Sequence, residues 1–550
     1  MTMYDHPKIF EPEPIPEDAI VLVASGDLRL SANQMCWPAQ EKLEKKLTEI
    51  FLKEGFGIIR AHDYDPIEKH GFISTQKQGI EIFKKIPKDC RIIVAVAVWQ
   101  YSYHVLAGLR DHRGPILTIA NWEGEWPGLV GLLNLNGCLT KMKVPYSTIW
   151  SKTFDDPFFL SGIREWIETG HIIHDASHVK ELDLHTIPAP ERELGEALAH
   201  ELKTNKAIMG IFDEGCMGMY NAIFDDEYLN PMGIYKERMS QSALLAEMQR
   251  VSEAEAQAAY DWLKKKGMSF DLGPNRDEHL TEWHILEQMK MYIAAVRMAD
   301  FFGCDFIGIQ YQQGLKDMAP ASDLVEGLLN NVDRPPVYHI QTSEELFAGK
   351  AVVHFNEVDE GAGVDALVTN RVWNAMGFDP ETTLHDIRFG ETYQDGEIDD
   401  FIWVFEISGS VPPAHIDGGY KGAISKQQDR MYFPMGGGTL SGVCKQGEIV
   451  WSRVYQENDK IHADIGRGSS VKLPDEETQR RLQMTTEVWP IMNARLHGVS
   501  RDQLMGRHKS NHINVAYTPT ADDADRALMV KAAMFNAMGI EVHLCGDVLQ

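Results

Sequence analysis

From Ile20 to about residue 175, short apolar runs alternate with amphipathic stretches. AIVLVAS predicts a strand, EKLEKKLTEIFLKEG a helix and FGIIRAHD a second strand. A further helical stretch, TQKQGIEIFKKI, leads to the unbroken apolar run Ile92–Trp99, whose β-branched character suits a strand buried on both faces. PILTIAN and PYSTIW predict later strands. Repeated βα units of this kind predict a parallel sheet covered by helices. The turn after the first strand is SGDLRLSANQ, without GxGxxG, so the pattern gives no support for a dinucleotide site. Ligands of such sheets gather beyond the carboxyl ends of the strands, which draws Arg29 and Trp99 into consideration.

A polar stretch, SHVKELDLHTIPAPEREL, predicts the passage to a second α/β region. There KAIMGIFDEGCMGMYNA reads as a strand entering a glycine-rich turn, and HILEQMKMYIAAVRMADFFG carries apolar residues along one helical face. FIGIQYQQG and KAVVHFNEVD predict two more strands. Beyond about Phe378 the texture becomes β-rich, with FIWVFEISGS, MYFPMGGGTLSGV, EIVWSRVY and KIHADIGRG predicting an antiparallel sheet or barrel. ETQRRLQMTTEVWPIMNARL and DDADRALMVKAAMFNAMG read as helical. The expected fold class is α/β: two Rossmann-like parallel-sheet domains, 1–175 and 176–375, followed by a β-rich C-terminal domain, 376–550.

Composition narrows the partners. With 550 residues, 44% hydrophobic and 24% charged, the chain has the balance of a folded multidomain protein. A formal net charge of −28 predicts neither a nucleic-acid nor a membrane partner, since both favour a basic face. The acid- and proline-rich start and seven scattered cysteines without a CxxC pair predict a cytoplasmic protein with reduced thiols.

Four polar features stand out. Glu357 follows a predicted strand in VVHFNEVDEG, and Asp386 lies between apolar flanks in LHDIRFGE. His508, Asn511 and His512 precede an apolar run in HKSNHINVAY, and Gln310, Gln312 and Asp317 sit at a strand exit. Two carboxylates and an imidazole suit a hard-to-borderline divalent ion. Their spacing satisfies no local metal motif, however. On spacing alone each carboxylate reads far more readily as a solvated surface group than as a ligand, and His512 more readily as a hydrogen-bonded structural histidine.

The order of these segments resembles the L-fucose isomerase family over most of the chain, from the first strand to about Asp547. FNEVDEGAGVDALVTNRVWNAMGFDPETTLHDIRFGETY resembles the stretch supplying two acidic metal ligands, which fall on Glu357 and Asp386. HKSNHINVAY resembles the segment whose Asn-His pair supplies the third ligand, here His512. MYFPMGGGTLSGV and IGRGSSVKLPDE resemble the family's glycine hairpin and the run that follows it. By the same resemblance Arg29 reaches a neighbouring subunit's site, while Trp99, Gln310 and Asn511 contact substrate.

The resemblance implies a fucose isomerase-like fold, a homo-oligomer of hexameric form, and a divalent metal, Mn²⁺. It implies an aldose–ketose isomerase acting through a cis-enediolate, with Glu357 and Asp386 as both ligands and acid/base pair. Two departures concern the pocket: the glycine hairpin continues Thr439-Leu440-Ser441-Gly442 rather than Tyr-Ser-Ser-Arg, and the tail of the Gln310 strand lacks Arg-His-Trp. An unchanged metal set with a changed lining predicts the same chemistry on another free sugar. Candidates are a pentose or a 6-deoxy or C6-modified hexose, including a sulfonated one. Arg29, Lys421 and Arg453 are the kind of cations that could meet such an anion, although a surface role fits each of them better. The alternative is a non-catalytic cytoplasmic sugar-binding protein.

Overall fold

A computed structural model describes residues 9–215, 217–396 and 398–548. Residues 1–8 of the acidic start, and Cys216, lie outside them. The chain divides into two compact units, 1–173 and 174–550.

The first unit is built on strands β1 (Ala19–Val23), β2 (Gly57–Arg60), β3 (Arg91–Val96), β4 (Ile116–Asn121) and β5 (Ser147–Ser151). All pair in parallel, in the order β2-β1-β3-β4-β5. The apolar run beginning at Ile92 therefore occupies the central strand, where burial on both faces is required. The first helix spans Leu30–Lys53, beginning well before the predicted segment despite Pro38 within it. Ala32, Cys36, Trp37 and Gln40 are all buried, so packing overrides the local cost of the proline.

The second unit continues with β6 (Val179–Glu181), β7 (Ala207–Phe212), β8 (Ile234–Met239), β9 (Ser269–Phe270), β10 (Phe306–Ile309) and β11 (Val353–His354). After the helix Glu360–Met376 come β12 (Thr382–Gln394), β13 (Asp399–Glu406), β14 (Ile424–Ser425), β15 (Gly447–Glu457) and β16 (Lys460–Ser470). The last are β17 (Ile491–Leu496), β18 (His512–Thr518) and β19 (Glu541–Cys545). Strands β11-β10-β7-β8 form a parallel sheet in that order. Among the described residues the protein is thus mixed α/β, with parallel sheets of five and four strands, a two-stranded parallel pair β9-β14 and one mixed eight-stranded sheet.

Six strands of the mixed sheet close on themselves. The pairings β15-β18-β12-β13-β17-β16 are all antiparallel, and β16 pairs back onto β15. Strand β19 attaches to β16 in parallel, with β6 outside it. Closure leaves none of the six with a free edge.

One apolar core joins the ring to the helices Ala189–Asn205, Glu360–Met376 and Ala521–Met538 and to the parallel sheet, through Leu202, Phe306, Val364, Trp373, Val454, Leu528 and Phe535. The boundary expected at 375/376 falls inside this unit, at the end of a helix.

Two sequence readings are corrected. In ETQRRLQMTTEVWPIMNARL the helix stops at Met484, and Ile491–Leu496 is strand β17 of the ring. Pro490 blocks a helix at that point, and pairing with β13 and β16 decides the conformation. The glycine-rich MYFPMGGGTLSGV forms no regular hairpin, only isolated bridges such as Gln427↔Gly438. Gly437 adopts φ +123°, and a Cβ there would lie 2.6 Å from the Ala321 backbone nitrogen.

None of the six described cysteines forms a disulfide. Among the described residues, no helix is long and apolar enough to cross a membrane.

Candidate metal centre

Strand register brings two of the three predicted ligands together. Asp386 on β12 lies directly opposite His512 on β18, and Glu406 on β13 lies on its other side. Residues opposite one another in an antiparallel pair share a face, so the three side chains form a row. Segments 126 positions apart in sequence thus meet by ladder geometry (512 − 386).

Glu357 arrives from β11, through a tight turn that precedes the helix Glu360–Met376. Glu357 and Val358 both have left-handed backbones, with φ +58° and +50°. A β-branched residue in that region is a clear outlier, and such strain concentrates at functional sites.

At the centre, His512 Nε2 is 3.5 Å from Glu357 Oε2 and 3.5 Å from Asp386 Oδ1. The His512 side chain is fully buried, and its Nε2 has no hydrogen-bond partner. Its other nitrogen, Nδ1, is 2.7 Å from Asp359 Oδ2. Asp359 also accepts two hydrogen bonds from the Arg453 guanidinium, at 2.6 and 3.0 Å, and caps the following helix by accepting from the Ala362 N–H. Asp359 therefore fixes the ring orientation of His512, while Arg453 keeps that carboxylate charged. Neither role was visible in the sequence beyond the general preference for aspartate at a helix start. Arg453 is 1% exposed, which rules out a surface role; Lys421 is exposed, and Arg29 is buried against Asp27.

The electrostatics follow from burial. Desolvation works against the His512 imidazolium, but its Nδ1 hydrogen bond to Asp359, the close approach of Glu357 and the charges of Asp359 and Asp386 outweigh it and raise its pKa to about 10. Desolvation, reinforced by Glu357, raises Asp386 to about 7, and desolvation also brings Glu406 to about 7 against the pull of Arg388. Two more buried acids lie nearby. Desolvation, then the Glu357 charge, raises Asp323 to about 8; desolvation, then the charges of Asp323 and Glu357, lifts Glu326 well above the usual carboxylate range.

No protein-family model matches the chain, and no curated protein matches it in sequence. The site must therefore be judged on its own chemistry.

Among the described residues, no three His, Cys, Asp or Glu stand as a ready-made metal cage. Glu357 and Asp386 stand to His512 at ion-pair distance instead. The donor set nevertheless fits a divalent ion on two counts. Its imidazole nitrogen is buried and unpartnered, and its opposite nitrogen is held by a carboxylate, the arrangement that orients metal-ligating histidines. Donors about 2.1 Å from a common ion lie roughly 3.0–3.5 Å apart, so 3.5 Å requires little rearrangement.

The remaining predicted residues divide by unit. Asn511 adjoins the centre: its Nδ2 donates to Asp386 Oδ1 at 3.2 Å, and its Oδ1 is buried without a partner. Gln310 is fully buried with both polar ends engaged by backbone, Nε2 on the Gly215 carbonyl and Oε1 on the Gln313 N–H. It braces the glycine turn rather than opening to a ligand. Arg29 and Trp99 belong to the first unit, at the carboxyl edge of its sheet. Arg29 pairs with Asp27 at 2.6 Å, and the buried Trp99 Nε1 has no hydrogen-bond partner.

Proposed function

We propose that this chain is a divalent-metal-dependent aldose–ketose isomerase. The observation that carries the reading is the unpartnered, buried His512 Nε2 with two carboxylate oxygens 3.5 Å away. Glu357, Asp386 and His512 would hold the ion, and Mn²⁺ suits a donor set of two carboxylates and one imidazole. Bound there, the ion supplies Lewis-acid polarisation of a carbonyl and stabilisation of developing negative charge.

The chain's own groups do the proton work. Moving a carbonyl from C1 to C2 requires a base to remove a proton from one carbon and an acid to return it to the other, through a cis-enediolate. Glu357 and Asp386 form that pair, each with an oxygen 3.5 Å from His512 Nε2. Asp359 and Arg453 keep the His512 ring fixed while the carboxylates change protonation. Asn511, beside Asp386, orients a sugar hydroxyl. Arg29 completes the pocket of a neighbouring subunit in a homo-hexamer, with Trp99 as an apolar wall. Gln310 acts by holding the Gly215 turn. The substrate is a free sugar, a pentose or a 6-deoxy or C6-modified hexose that includes the sulfonated class.

The test is a panel of free aldoses with Mn²⁺, scored by ketose formation. Turnover of at least one sugar that disappears in Glu357→Gln and His512→Ala is expected. Full turnover in both variants would overturn the site assignment. Sugar binding without turnover under every divalent ion would establish a binding protein instead.

A further inference from the structure

The segment that carries Glu357 is pinned from outside its sheet. Among the described residues strand β11 is an edge strand, paired only with β10. Along its other side runs the short helix Asp323–Leu329 with its C-terminal Asn330. Three alternate residues are tied to this element. The Val352 N–H donates to the Leu329 carbonyl at 2.8 Å. The His354 N–H donates to Asn330 Oδ1 and its carbonyl accepts from Asn330 Nδ2, both at 2.8 Å. The Asn356 Nδ2 donates to Glu326 Oε2 at 2.6 Å, and Ser322 bonds the other oxygen of Glu326. A spacing of two is that of a strand, so the helix supplies the partners a neighbouring strand would have given. Glu326, Asn330 and Asn356 are all buried.

The last tie falls one residue before the left-handed pair Glu357–Val358. Such a backbone is strained, and it persists only where both flanks are fixed. Downstream the flank is fixed by Asp359, through its helix cap and its bonds to Arg453 and His512. Upstream the nearest side-chain anchor is the Glu326–Asn356 hydrogen bond.

We propose that Glu326 is a positioning residue: by holding Asn356 it keeps the Glu357–Val358 turn closed and the Glu357 carboxylate beside His512. Its effect on metal rests on the reading of the centre as a metal site, whereas its effect on the backbone does not. Glu326→Gln retains an acceptor for Asn356 and a partner for Ser322; Glu326→Ala retains neither.

The test uses the full-length protein and two readouts. Calorimetric titration with Mn²⁺ is expected to show roughly tenfold weaker binding in Glu326→Ala and near wild-type binding in Glu326→Gln. Hydrogen exchange of the metal-free protein is expected to show lost protection at the Asp359 amide, which bonds the Asn356 carbonyl, in the alanine variant alone. Should Glu326→Ala fail to fold, Asn356→Ala breaks the same hydrogen bond from its other end. Wild-type protection at Asp359 in the alanine variants overturns the proposal. Protection lost in a protein that binds no Mn²⁺ sustains the clamp and removes the metal reading.

Discussion

A carboxylate shut away from water must find a cation or give up its charge, and Asp359 has two cationic neighbours. Its pKa lies well below the usual carboxylate range: desolvation pushes it up, but Arg453 and His512 more than reverse that. Asp359→Asn removes the charge that orients His512, and about 10- to 100-fold weaker Mn²⁺ binding is expected by calorimetry. Arg453→Met strands a buried anion, so a loss of about 3–5 kcal/mol is expected in urea unfolding. The proposed ligands were suggested only by the family resemblance, because Glu357, Asp386 and His512 carry no local metal spacing. Asp359 was illegible for a different reason. Its partners lie 94 and 153 positions downstream, a proximity that neither periodicity nor a short motif encodes.

At the scale of elements, strand and helix positions in the first unit follow directly from hydrophobic period, because each βα unit buries its own face. The ring was harder to read. Asp386 sits in the middle of a thirteen-residue strand whose first nine positions are all buried, so no alternation marks the inward face. Register, not pattern, selects the row Asp386, His512 and Glu406, and a slip of one residue would turn Asp386 to the opposite side. Close helix packing makes a separate demand. At Gly195 an added Cβ would stand 2.5 Å from the Val530 carbonyl and 2.7 Å from the Ala533 Cβ, where the Ala189–Asn205 helix crosses Ala521–Met538. Gly195→Leu is expected to destabilise the second unit by about 1–3 kcal/mol, read as a lower urea midpoint.

For the whole molecule, buried titratable groups set opposing pH limits. His354, His385 and His415 are each lowered from 6.5 to about 3, by desolvation first. A histidine with a depressed folded pKa contributes stability above 6.5 and loses it as pH falls toward 3. Glu406 and Asp323, raised to about 7 and about 8, work the other way: their contribution is present below the ordinary carboxylate range and is lost as pH rises through those values. Between 4.5 and 6.5 the two sets oppose each other. The metal-free protein should therefore show its highest urea midpoint between about pH 4.5 and 6.5, with losses toward pH 3 and toward pH 8. Mn²⁺ at 100 times its dissociation constant should add about 2.7 kcal/mol, an increment that His512→Ala abolishes.

The closed ring also imposes an order in time. Strand β18, which carries His512, is its last member in the chain, 155 residues after Glu357 (512 − 357). At about 5–20 residues per second a ribosome needs roughly 8–30 s to cover that interval. Throughout it Glu357 and then Asp386 exist without their imidazole, and the ring stands open at the gap between β12 and β15. The five strands of the first unit end at Ser151, long before that gap is filled. The row of Asp386, His512 and Glu406 is thus a late product of synthesis, and a chain cut short before residue 512 carries the five strands of the first unit without the ring's last strand.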